Sequence, residues 1–358
     1  MPIKTKVKIV AIAKDEAAYF ADWVFHHLYF GFDAIDIYLN RTSDNSKDVL
    51  EKITTHHPNV NFQYADWLDT CPDAVGKFLQ YCVYAKAFAE EKAKSEYTHI
   101  LFIDIDEMWT PQDFKSSIHD CLAKQPKHSS ISFQWANLLG EEQQFASIPH
   151  SLRIIKSSTV KSIVSLSTDV EKIQLHLPEF VRNNNFQGCF LSDGSPFEHA
   201  AKNYQQLARG NQIELKPYFI LHRMYRSEIE YISLLYRGRP SDNIPLKFNR
   251  GGYLRSARTM RELTFPHSPH NKYETDKQAF IRKLNLSREQ RHAQAYVLKR
   301  AQKAISIIPS LIEQYESEIK NAFSGVNNKN VQRAISGAPI KKSPVSWLKG
   351  IKNTVKQG

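Results

Sequence analysis

The run Thr98-His99-Ile100-Leu101-Phe102-Ile103-Asp104-Ile105-Asp106-Glu107 decides the fold. It is almost unbroken apolar sequence that ends abruptly in acids, as a strand covered on both faces does on reaching the rim of a sheet. Three further short strand-like runs precede it, at 7–13, 34–39 and 60–64. The segments between them carry helical periodicity. Phe20, Val24, His27 and Leu28 share a face in 17–30, Val49, Leu50 and Ile53 share one in 46–57 before Pro58, and 76–94 is rich in good helix formers. The order β-α-β-α-β-α-β predicts an α/β fold with a mostly parallel, Rossmann-like sheet flanked by helices and joined by right-handed crossovers. In such sheets ligands bind beyond the carboxyl ends of the strands, where the acids of 104–107 lie.

Downstream the pattern is mixed. Residues 111–216 hold short strands such as 130–135 and loops such as 182–185, and Pro217-Tyr218-Phe219-Ile220-Leu221 reads as another strand. Residues 227–236 and 277–284 read as helices, and 287–315 as a strong helix or helix pair. From residue 322 the chain turns polar and rich in Gly and Asn, the composition of a linker. This predicts a catalytic domain over 1–225, a helical extension packed on it over 226–320, and a linker with a basic tail over 321–358.

With alternating side chains, Asp104 and Asp106 are expected to share one side of the strand end. Two carboxylates held together call for a proton or a cation between them, and a hard divalent ion with oxygen ligands, Mn2+ or Mg2+, meets that need. The same acids also suit a turn that caps a following helix near Glu107 or Asp113.

The chain has 358 residues, 42% of them hydrophobic and 24% charged, which excludes collagen-like, wholly disordered and multi-span membrane classes. Four cysteines lie far apart without a C-x-x-C pair, so neither a disulfide scaffold nor a zinc finger is expected. There is no glycine-rich phosphate loop, which argues against phosphoryl-transfer enzymes of that class. The net charge of +11 is concentrated at one end: after Glu318 there are eight cations and no acid, so the body carries only +3. A nucleic-acid binder would spread basic and aromatic residues over a folded face, so no nucleic-acid partner is expected. In the tail Trp347, Leu348, Ile351 and Val355 share a helical face, with Lys349, Lys352 and Lys356 elsewhere. That pattern suits an anionic membrane surface. The start lacks a signal-peptide pattern, so the expected location is cytoplasmic, peripheral on the cytoplasmic face of the membrane.

Several segments resemble, in combination, the glycosyltransferase family 2-like group with a GT-A fold, near the DUF23-type transferases. They are Lys14-Asp15-Glu16, Asp22-Trp23-Val24-Phe25-His26-His27, Leu39-Asn40-Arg41-Thr42-Ser43-Asp44, Gln80-Tyr81-Cys82 and Phe102-Ile103-Asp104-Ile105-Asp106-Glu107-Met108. Weaker likeness continues through Lys161-Ser162-Ile163-Val164 with His176, through Leu221-His222-Arg223-Met224-Tyr225-Arg226-Ser227 and through Arg237-Gly238. Asp15, Leu39, Met108 and Arg226 depart from the group's pattern. The resemblance implies a metal-dependent transferase that moves a sugar from a nucleotide-sugar donor, UDP-sugar favoured, to a glycan or lipid-linked acceptor in surface polysaccharide synthesis. It implies metal ligation by Asp106 and His222, with Asp104 on the ion or the ribose. The donor would lie against Ala11, Ala13, Glu16, Asn40, Asp44 and Gln80, with Arg226 on the diphosphate. Trp135 and His176 would face the acceptor. Glu141 is the candidate base for an inverting transfer; a retaining transfer needs none.

Overall fold

A computed structural model describes residues 4–126, 128–181, 186–208, 214–238, 245–254 and 260–340. The strands are β1 (Val7–Ala13), β2 (Ala34–Leu39), β3 (Val60–Tyr64), β4 (His99–Phe102), β5 (Glu107–Pro111), β6 (Ser129–Leu138), β7 (Ser151–Ser165), β8 (Val170–Lys172), β9 (Glu179–Phe180), β10 (Gly188–Leu191), β11 (His199–Ala200), β12 (Asn203–Leu207), β13 (Tyr218–His222) and β14 (Arg261–Thr264). The helices are α1 (Phe20–Tyr29), α2 (Ser46–His56), α3 (Asp73–Gly76), α4 (Leu79–Lys94), α5 (Ile118–Leu122), α6 (Glu228–Leu235), α7 (His267–Leu284), α8 (Ser287–Ala322) and α9 (Lys329–Ile335).

The main sheet runs β3-β2-β1-β4-β7-β6-β13-β5. Strands β3, β2, β1 and β4 are parallel, as predicted from their apolar runs. The other half is mixed: β7 is antiparallel to β4 and β6, whereas β13 is parallel to β6 and antiparallel to β5. This directionality brings the carboxyl ends of β1, β2, β4, β6 and β13 and the amino end of β5 to one edge, and the site forms there.

Several expectations change. Strand β4 stops at Phe102, so Asp104 and Asp106 lie in the turn into β5 rather than on alternate positions of a strand. Helix α1 starts at Phe20, because residues 14–19 form a loop in which Asp15 takes a left-handed φ of 53°. The predicted helix over 76–94 is α4 preceded by the short α3. Strand β14 escaped the sequence reading because two of its four residues are charged and its pairing with β7 is wholly non-local. The stretch read as a linker contains α9, capped by the Asn328 side chain accepting from the Asn330 and Val331 amides.

The core under α1 is aromatic. Trp23, Phe30, Trp109, Phe114 and Tyr273 are fully buried, and each such ring contributes about 1.5–3 kcal/mol on removal from water. Tyr273 of α7 belongs to this core, whereas α6, the far half of α8 and α9 share a second one around Tyr231, Ile308, Phe323 and Val331. Gly325 closes that second core at a φ of 79°, where a Cβ would collide with the Tyr253 carbonyl oxygen. No helix among the described residues is long and apolar enough to cross a membrane. The amphipathic tail over 341–358 lies outside the described residues.

Candidate active site

The acidic turn is held from three sides. Trp23 of α1 donates from its indole Nε1 to the carbonyl oxygens of Asp104 (3.1 Å) and Glu107 (2.8 Å). Glu107, fully buried, folds back so that its Oε2 accepts from the Asp104 amide (2.9 Å). Lys161 of β7, 1% exposed, places its ammonium 3.4 Å from Asp104 Oδ2 and 3.3 Å from Glu107 Oε2. Burial pushes Glu107 well above the usual carboxylate range, against the pull of Lys161. Gln80 of α4 donates to Asp104 Oδ1 (2.7 Å). Both Asp104 oxygens are therefore oriented by protein donors. The two histidines after Trp23 brace the floor. His27 bonds the Trp23 carbonyl (2.8 Å) and accepts from the Trp109 amide (3.3 Å), and His26 bonds the Trp109 carbonyl (2.8 Å).

Asp106 faces a different partner. Its Oδ2 lies 3.6 Å from His222 Nε2 at the end of β13, and the Asp106 carboxylate is 19% exposed. Asn137 Oδ1 at the end of β6 accepts from His222 Nδ1 (3.1 Å). That contact aims Nε2 at the Asp106 carboxylate, where a proton or a metal cation can sit between the two. Burial opposes ionisation of Asp106, yet the hydrogen bond and charge of His222, with Arg226 and Arg250, hold it well below the ordinary range. Trp135 packs on His222 with ring centroids 4.1 Å apart.

A cleft of about 460 Å³ opens over these groups, lined among others by Ala13, Glu16, Asn40, Gln80, Asp104, Asp106, Trp135 and His222, all expected from the sequence. It also presents Lys14, Lys77, Arg237, Lys247 and Arg250. Basic residues thus outnumber the three carboxylates on its walls, which is the balance that a polyanionic ligand needs. Arg237 stood in the sequence as a motif residue without a role, and nothing local marked Lys247 or Arg250. Glu16 is buried and pairs with two arginines, Arg226 (3.2 Å) and Arg237. It positions them rather than meeting a ligand freely. Asn40 donates to Asp66 Oδ1 (3.2 Å).

Other expected residues fall elsewhere. Ala11 is fully buried within the sheet and cannot touch a ligand. Asp44 is spent on local contacts: its carboxylate accepts from the Ala17 amide (2.9 Å) and from the Ser46 amide (2.9 Å) and hydroxyl (2.5 Å). Arg226 is turned behind the cleft, its guanidinium 3.3 Å above the Tyr19 ring, and its backbone takes a left-handed φ of 49°. Glu141 is not available as a base. Arg223 grips both of its oxygens (2.8 Å each), and the side chain is buried outside the cleft. His176 lies behind Trp135, hydrogen-bonded to the Val160 carbonyl (3.0 Å), with burial lowering its pKa to about 4.

Among the described residues no group of three or more His, Cys, Asp or Glu side chains is arranged to hold a metal alone. Asp106 and His222 could share a cation as two of its ligands. The carboxylate suits a hard ion such as Mn2+ or Mg2+, whereas an imidazole is a ligand Mg2+ seldom takes; water and ligand oxygens would fill the remaining positions. Asp104, with its two oxygens engaged by Gln80 and Lys161, is less available as a third ligand.

No curated protein sequence matches the chain. Among solved structures it is similar to the apo form of the WbbM bifunctional glycosyltransferase, at 17% identity over 37% of this chain and 24% of that one, with a TM-score of 0.24. The chain thus spans about a quarter of the length of that structure. Residues 7–187, half of the chain and the part that carries β1 to β4 and the acidic turn, match the model of glycosyltransferase family 92, and the chain belongs to that family.

Proposed function

We propose that the protein transfers a sugar from a nucleoside-diphosphate sugar, UDP-sugar favoured, to a hydroxyl of a glycan or lipid-linked acceptor, with the aid of Mn2+ or Mg2+. The observation that carries this reading is the meeting, in one cleft, of the Asp106–His222 pair with a wall of cations. Asp104, fixed by Gln80 and Lys161, is set to accept from a ribose hydroxyl. The cations Lys14, Arg237, Lys247 and Arg250 supply counter-charge as negative charge develops on the departing diphosphate. A divalent ion held by Asp106 and His222 would supply Lewis-acid stabilisation of the same charge. Trp135 offers a flat apolar wall where an acceptor ring can stack. With Glu141 tied to Arg223, the described cleft walls carry only Glu16, Asp104 and Asp106 as carboxylates.

The basic tail supports an acceptor presented at an anionic membrane surface, with the enzyme peripheral on the cytoplasmic face in polysaccharide or lipopolysaccharide synthesis. Thermal-shift and donor-hydrolysis assays with UDP, GDP, CMP and TDP sugars plus Mn2+ test the transfer reading. Slow hydrolysis abolished by Asp106→Ala is expected. Unchanged turnover in that variant or in excess chelator would remove the metal. Removal of 338–358 should lower sedimentation with anionic liposomes, and equal sedimentation of both forms would remove the membrane contact.

A further inference from the structure

Lys247 stands out on the cleft wall. Its amide donates to the Leu235 carbonyl at the end of α6 (2.8 Å), and its side chain lines the cleft while only 8% exposed. Among the described residues no hydrogen bond or ion pair reaches its Nζ. The charged groups that face it are Arg237 and Arg250, which repel a proton, and Glu16 and Asp106, which attract one. Neither acid is free to serve it, because Glu16 holds Arg226 and Arg237 and Asp106 faces His222. Burial, followed by the two guanidinium charges, pulls the amine down to about 6. A buried ammonium with no counter-ion among the described residues and two like charges beside it favours the neutral amine.

A ligand that brings negative charge into the cleft reverses this balance. We propose that Lys247 is a proton-coupled phosphate contact: its Nζ takes a proton from solvent as the diphosphate of the donor enters and returns it when the nucleoside diphosphate leaves. The N–H bond formed on uptake uses the nitrogen lone pair and a solvent proton, and it is broken again on release. The inference rests on the donor reading above and adds the linkage between occupancy and protonation. Its sign follows directly. If binding takes up a proton, affinity rises as pH falls toward the free amine's value of about 6.

The test is isothermal titration of UDP, and separately GDP, into the full chain with saturating Mn2+ in both solutions, at pH 7.5 in HEPES, MOPS and Tris. The observed heat should change linearly with buffer ionisation enthalpy, with a slope approaching one proton taken up. Lys247→Arg, which carries a fixed charge, should bind UDP with no slope. Lys247→Met should lose the slope and bind about tenfold more weakly or worse. UDP binding with no proton uptake by the natural protein overturns the inference and leaves the donor reading standing. A slope that persists in either variant assigns the proton to another group and also overturns it. If neither nucleotide binds, both readings fall together.

Discussion

The indole of Trp23 spans the acidic turn, donating one hydrogen to the carbonyl oxygens of both Asp104 (3.1 Å) and Glu107 (2.8 Å). A helix residue thereby sets the curvature of a loop more than eighty positions away. Trp23→Phe should keep most of the apolar burial and lose the two acceptor contacts. Chemical denaturation should show a loss of about 1–3 kcal/mol, the usual penalty for leaving buried acceptors unpaired. Mn2+ titration of the folded variant should show weakened binding, because Asp106 no longer returns to the same position.

Lys161 is the buried counter-charge for Asp104 and Glu107. Lys161→Met strands two carboxylates, one of them fully buried, and should destabilise the protein by about 3–5 kcal/mol. Glu107→Gln in the same chain replaces the more deeply buried carboxyl with a neutral amide and should recover part of that loss. A double variant no more stable than Lys161→Met would show that the pair is not energetically coupled.

Glu141→Gln separates a structural carboxylate from a catalytic one. Losing a general base costs about 10²–10⁴-fold in rate. Here the expected outcome is a lower unfolding midpoint with turnover per folded molecule retained, because the carboxylate is consumed by Arg223. A rate loss of that size without a stability change would restore Glu141 as the base.

Acid sensitivity should arise beneath the site. Burial lowers His27 to about 3, so the folded protein keeps this ring neutral while the unfolded chain protonates near 6.5. Stability from this group is complete above about 6.5 and falls with decreasing pH toward about 3, by roughly 1.4 kcal/mol per pH unit. His27→Gln should flatten the pH dependence of unfolding free energy by about one proton between pH 6 and 4. An unchanged slope would refute the assignment.

Whereas β3 at 60–64 is an edge strand with an exposed, alternating pattern, the apolar runs at 7–13, 34–39 and 98–104 were readable without coordinates, because a strand buried on both faces must be largely apolar and its helices must show a 3.6 period. The acids at 104–107 were readable for the same reason: charge ends such a strand. Asp104, Asp106, Gln80 and His222 therefore stood out from pattern and resemblance, and they meet in one cleft. What each one does there was decided by neighbours distant in the chain. Asp104 and Asp106 look equivalent as letters, yet Gln80 and Lys161 claim the first while His222, oriented by Asn137, faces the second. Glu141 became a structural ion because Arg223 reaches it across 82 positions. Lys247 and Arg250 entered the cleft with no local signal at all. Burial and charge pairing are properties of surroundings, and the surroundings of these side chains exist only once the sheet edge has been assembled.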